Sequence, residues 1–334
     1  MYPEPEVSGP PAARDIFSSY DDEMLYLVPP TGIDWAALDA CHGRGTVDAS
    51  VQALPARAPQ CGRQARLHSP VQRGFEVYAQ VNPGARAVKF DRTELTYGEL
   101  DSQADGLAVR LQQKGLRPGD FCAVCMQPSL AMVRAIVAIL KAGGAYLLLD
   151  PTLPEQRIAA ILDLARARMV LTQEKFSARL GATDSCTVLC GEDASDLPYA
   201  WPQECPTQGL SPVCATASIA NDGSLSVVSH TQMAMLARLE WLQEISPIGQ
   251  GDSVLQNTDP GLDGSEIVWS LCHGARVVIP PAPDAADVAR VRQLVARERI
   301  TVMHVVCTQL RPLLSGTGAN ELCSLRALLW LKDD

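Results

Sequence analysis

From residue 95 onward the apolar positions alternate between two periods, and the switches mark out elements. In LTYGELDSQADGLAVRLQQKGLRPGD, Leu100, Ala104, Leu107, Ala108 and Leu111 fall on one stripe, the spacing of a helix with one buried face. Thr96 and Glu99 make a capping box ahead of it and Gly115 supplies the stop. FCAVCM then predicts a strand. SLAMVRAIVAILKAGG predicts a second helix, capped by Ser129, striped by Val133, Ile136, Val137 and Leu140, and ended by Gly143 and Gly144. AYLLL is a strand apolar on both faces, closed by Asp150 and Pro151. Pro154 opens a third helix with Ile158, Ile161, Leu162 and Ala165 inward, and MVLT follows as a strand.

The alternation resumes after a linker near 191–211. SVVSH reads as a strand, TQMAMLARLEWL as a helix, ARVVI as a strand, DVARVRQLVARERI as a helix, and TVMHVV and LRALLWL as strands. The fold class is therefore α/β, with parallel sheets flanked by helices. Ligands in such sheets sit beyond the carboxyl ends of the strands. Residues 1–70 are proline-rich and weakly periodic, and are expected to be a poorly ordered leader with one short helix around IDWAALDAC. Residues 71–334 hold the domain. Its last strand is expected to leave a bare sheet edge and uncovered helix faces, liabilities for aggregation.

Composition narrows the function. The chain has 334 residues, with 28 Lys and Arg against 38 Asp and Glu, a net charge of -10. No stretch of sequence clusters basic residues as a nucleic-acid backbone would need, so nucleic acid is not an expected partner. No apolar run approaches the roughly 18 residues of a spanning helix, and MYPEPEVSGP is acidic where a signal peptide is basic. No membrane association and a cytoplasmic location are expected. The 11 cysteines lack regular spacing, which predicts reduced thiols. Cys122 and Cys125 form a CxxC, a zinc or redox motif in other settings, but three residues apart on a strand they point to opposite faces. No metal site is expected.

The order of motifs adds a family. LTYGEL at 95–100 and LKAGGAYLLLDPTLPEQRI at 140–158 resemble the first two core motifs of the amino-acid-activating adenylation domains of nonribosomal peptide synthetases, within the AMP-forming acyl-adenylate ligases. LDGSEIVWSLCHGARVVIPP resembles that family's Phe-Asp-x-Ser region, and RERITVMHVVCTQLRPLL its next helix and strand. The resemblance covers roughly 71–332 and implies an incomplete N-terminal domain of an adenylating enzyme, without the later core motifs or the small C-terminal domain. It implies a chemistry in which ATP, with Mg2+, and an amino acid give an aminoacyl-adenylate and pyrophosphate, followed by transfer to a carrier thiol.

The family holds the triphosphate with a loop reading Tyr-Thr-Ser-Gly-Ser-Thr-Gly-x-Pro-Lys-Gly, whose glycines let backbone N–H groups approach phosphate and whose lysine adds charge. TASIANDGSLSVVSH, 216–230, stands in its place. Aligned back from His230, Thr216 keeps its identity, Ser218, Asn221 and Leu225 stand at the glycines, Ser224 at the lysine and Gly223 at the proline. Asp222 adds a carboxylate. Thr216, Ser218, Asn221 and Ser224 are thus the candidate, degenerate phosphate-loop positions, and neither ATP nor Mg2+ is expected to bind tightly. Asp263 has two readings: a contact to a substrate ammonium, as the resemblance implies, or a helix N-cap. His230 reads as a strand-end residue, with no acid or nucleophile placed beside it by sequence, and no catalytic residue is assigned.

Three functions follow: a degenerate, truncated adenylation domain that is non-catalytic alone, a module that docks a carrier protein or partner half-domain, or a ligase completed by another polypeptide.

Overall fold

The computed structural model describes residues 69–180, 209–219, 224–257, 264–281, 287–306 and 319–331, with the short segments 26–28, 52–53, 186–189, 202–203 and 312–313. The strands are β1 (Tyr26–Val28), β2 (Gln52–Ala53), β3 (Arg86–Phe90), β4 (Thr93–Thr96), β5 (Phe121–Cys125), β6 (Ala145–Leu149), β7 (Met169–Thr172), β8 (Cys186–Leu189), β9 (Pro212–Ile219), β10 (Leu225–Thr231), β11 (Ser253–Leu255), β12 (Arg276–Ile279), β13 (Val302–Val306) and β14 (Ala327–Leu331). The helices are α1 (Arg73–Val81), α2 (Tyr97–Gln113), α3 (Leu130–Lys141), α4 (Glu155–Leu164), α5 (Glu174–Ser177), α6 (Gln232–Ile245), α7 (Ser265–Cys272) and α8 (Val288–Glu298).

Helix starts follow local chemistry. Thr96 and Glu99 complete both bonds of the capping box at α2, satisfying donors the first turn leaves open. The Ser129 hydroxyl accepts from the Met132 N–H at α3, and Pro154 sits at the N-cap of α4. Thr231 caps α6 through the Ala234 N–H, and Asp287 caps α8 through Ala289 and Arg290.

The strands form two sheets, in the orders β2-β1-β14-β13-β11-β12-β3-β4 and β10-β9-β6-β5-β7-β8. The inner pairs are parallel, while β1–β2, β1–β14, β3–β4 and β9–β10 are antiparallel. Both faces of the central strands are covered, which is why those strands read as continuous apolar runs. Alternate residues divide between cores: Val277 and Ile279 face α2, α3 and α7 between the sheets, whereas Val278 packs with Val291, Leu294 and Val295 of α8 on the outside. Leu148 joins the central core and Leu147 and Leu149 join Ile158, Ile161 and Leu162 of α4. Helix α3 lies in the middle layer and is buried along its whole length. Cys122 falls in the central core and Cys125 in the outer one, so the two thiols are on opposite sides of the sheet.

The bare edge expected beside LRALLWL is not found. β1 pairs along β14, with Tyr26 opposite Trp330 and Val28 opposite Leu328, and β2 pairs on β1. Leu328 and Leu329 are buried on the two faces of β14. The helix expected around 33–41 lies outside the described residues.

Candidate functional site

The stretch 216–230, expected as a loop feeding a strand, is a hairpin. β9 runs on to Ile219 and pairs with β10 in the register Thr216 to Val228, Ala217 to Val227, Ser218 to Ser226 and Ile219 to Leu225. Thr216 and Ser218 therefore stand on a strand. The cause is a period of two in the sequence: Ala215, Ala217, Leu225 and Val227 pack toward the core under α4, leaving Thr216, Ser218 and Ser226 on the other face. Leu225, aligned with the last glycine of the family's loop, serves as a packing residue.

The polar face of the hairpin satisfies itself. The Ser218 and Ser226 hydroxyls lie 2.6 Å apart, and Thr216 Oγ1 is 3.2 Å from His230 Nε2. His230 is buried and the hydroxyl pair is exposed. Ser224 is exposed at the entry to β10. Asn221 and Asp263 lie outside the described residues.

Next to the place of Asp263, the N-cap position of α7 is Gly264, in the left-handed region with φ of 66°. A Cβ there would stand 3.0 Å from Leu148 Cδ1, so α7 begins pressed against β6. The sequence reading missed the groups that follow. Arg238 Nε on α6 donates to Ser265 Oγ at 3.1 Å, bringing a guanidinium to the first turn of α7. Glu266 Oε2 stands 3.2 Å from His304 Nδ1 on β13, with both side chains buried, and the His304 ring meets Trp269 edge-on at 6.1 Å. The available signal was His304 itself, since a histidine in the apolar run TVMHVV needs a polar partner.

Two residues of the family-like motifs hold the fold. Tyr97 of LTYGEL is buried and donates from Oη to the Ala275 carbonyl at 2.8 Å. Burial first, then the neighbouring Cys272 and Tyr78, push its phenol well above the ordinary range. Lys141 of LKAGG lies 2.5 Å from Asp105 and 2.7 Å from Asp101, joining α3 to α2. Burial alone would lower its pKa, but the hydrogen bonds and charges of the two aspartates raise it. Among the described residues, no group of three or more His, Cys, Asp or Glu is placed to hold a metal, and no helix is long and apolar enough to cross a membrane.

The two sheets, their intervening helices and the hairpin beyond β6 form an α/β fold of the adenylation type, and comparison shows which proteins the chain is similar to. Residues 75–216 match the family described as AMP-binding enzyme. The chain is 30% identical over 249 residues to vanchrobactin synthetase VabF of Vibrio anguillarum, covering 72% of this chain and 9% of that one. It is 30% identical over 263 residues to zwittermicin A synthase ZmaJ of Bacillus cereus, covering 77% and 50%. It thus spans at most half the length of these relatives. The nonribosomal peptide synthetase FmoA3 in its AMPPNP-bound form is similar with a TM-score of 0.69 at 26% identity, over 87% of this chain and 33% of that one. The Klebsiella oxytoca NpsA N-terminal subdomain, in complex with 3-hydroxyanthranilyl-AMSN, has a TM-score of 0.65 at 21% identity, over 75% and 64%, a likeness of fold alone. Residues 75–216 thus match the AMP-binding enzymes, and the chain has the fold of the N-terminal part of a nonribosomal peptide synthetase adenylation domain.

Proposed function

We propose that this chain is an adenylation-type scaffold that has lost the capacity to hold a triphosphate at its β9–β10 hairpin and does not activate amino acids by itself. The observation that carries the reading is the Ser218–Ser226 pair, 2.6 Å apart. Where the family's loop offers bare backbone, this hairpin presents side chains bonded to one another.

Charge supports the same reading. A carboxylate reaching the α-phosphorus needs cations around the phosphates, yet Ser224 stands at the lysine position and Asp222 lies two residues before it. Beside α7, the guanidinium of Arg238 bonded to Ser265 opposes a substrate ammonium placed there. ATP and Mg2+ are accordingly not cofactors of this chain. Its role is to dock a carrier or other synthetase domain. In support, the matched region covers only 9% and 50% of two of its synthetase and synthase relatives, and one structure of similar fold is an artificially fused adenylation–PCP di-domain from Klebsiella oxytoca.

The test is amino-acid-dependent exchange of pyrophosphate into ATP. The reading expects no exchange above the enzyme-free blank with any proteinogenic amino acid, and sustained exchange with one of them overturns it.

A further inference from the structure

A cleft of about 1060 Å³ runs from the amino-terminal ends of β11 and β12 along β3 to the β3–β4 turn. The candidate site above lies beyond the carboxyl ends of the strands, so the two are separate. In a chain with net charge -10, this cleft is basic: it is lined by five arginines and one lysine against Asp91, Asp252 and Glu298.

Two of those carboxylates are already neutralised. Glu298 meets Lys89 at 2.9 Å, Arg297 at 3.0 Å and Arg276 at 3.5 Å. Burial would raise its pKa, but hydrogen bonds from Lys89 and Arg297 and the charges of Lys89 and Arg276 hold it below the ordinary range. Asp252 pairs at 3.0 Å with Arg326, a residue outside the cleft lining. Arg92, beside the left-handed Asp91 in the β3–β4 turn, and Arg299, the left-handed cap of α8 with φ of 52°, are exposed and have no ion-pair partner among the described residues. The last turn of α8 favours cations through its dipole, which accounts for Arg297 and Arg299, and Arg86 pairs with Glu94 at 3.4 Å; neither accounts for Arg92 on the opposite hairpin.

We propose that this cleft binds a small ligand carrying two or more phosphate groups, gripped by Arg92 and Arg299 from its two walls. The predominance of arginine favours phosphate, whose oxygens match the forked N–H donors of guanidinium. The volume is that of a small-molecule site.

The test is isothermal titration of the 334-residue chain with inorganic tripolyphosphate at low salt, with inorganic monophosphate as the comparison. The proposal expects one-to-one binding of tripolyphosphate, weakened by added salt, and much weaker binding of monophosphate. The double variant Arg92→Gln with Arg299→Asn, in which Asn tolerates the left-handed backbone, is expected to lose about tenfold or more in affinity. Arg92→Lys with Arg299→Lys, retaining charge, is expected to bind between the two. Absence of binding to the wild-type chain, or equal binding by a folded Gln/Asn variant, overturns the proposal.

Discussion

Ser218 on β9 faces Ser226 on β10 with their hydroxyls 2.6 Å apart, a direct cross-strand pair in the register of the hairpin. Cross-strand pairs of this type contribute a few tenths of a kcal/mol to about 1 kcal/mol, and this one is exposed. Ser218→Ala is therefore expected to lower stability by no more than about 1 kcal/mol, as measured by urea unfolding. A larger loss would mean the pair pins the hairpin in a way its exposure does not suggest.

Lys141 bridges Asp101 and Asp105 under cover. Removing one partner from a buried ion group strands the charges that remain, so Lys141→Met is expected to cost about 3–5 kcal/mol. Combining it with Asp101→Asn and Asp105→Asn should recover part of that loss. Denaturant midpoints of the single and triple variants check both statements.

Gly274 holds a left-handed turn at φ of 82°, and a Cβ there would stand 2.3 Å from the Tyr78 ring. Gly274→Ala combines a disfavoured backbone with overpacking, and is expected to cost about 2–4 kcal/mol. Thermal unfolding measures it.

The Glu298 carboxyl titrates below its ordinary value of 4.5. A depressed carboxylate stabilises the folded state above the unfolded pKa, and that contribution is lost as pH falls through the folded pKa. The stability difference between the wild-type chain and Glu298→Gln should be constant at neutral pH and shrink once pH drops below about 4.5. Melting curves across that range read it directly.

Burial, followed by the charge of Asp150, pushes the Cys125 thiol up to about 11. Only thiolate reacts readily with alkylating agents, so in the native chain at pH 8 Cys323, which is exposed, should be alkylated well before Cys125. Peptide mass mapping after a timed iodoacetamide pulse tests the order.

Much of the scaffold was legible because its signals are local. Thr96 with Glu99, Ser129 and Pro154 announce three helix starts, and AYLLL declares a strand buried on both faces. β11 escaped because SVL is too short to show a period, and the β3–β4 hairpin because RAVKF and TELT carry polar residues on their partly exposed faces. The edge role of Tyr26–Val28 depends on pairing with residues some 300 positions away, which no window of sequence contains. At the candidate site, Thr216 and Ser218 stand on a strand. Their alternation with Ala215 and Ala217, the mark of a strand, was read as loop. Arg238, Glu266 and His304 come from three elements and meet only in the folded chain.

The central claim is that the β9–β10 hairpin no longer holds nucleotide. Its most direct test is calorimetric titration with Mg2+ and AMPPNP in the Arg92→Gln, Arg299→Asn background, which weakens the basic cleft as a competing site. No binding in the micromolar range is expected there, and adding Ser218→Gly, Asn221→Gly and Ser224→Lys should restore magnesium-dependent affinity by about tenfold or more. Micromolar, magnesium-dependent binding with the native hairpin intact would contradict the account.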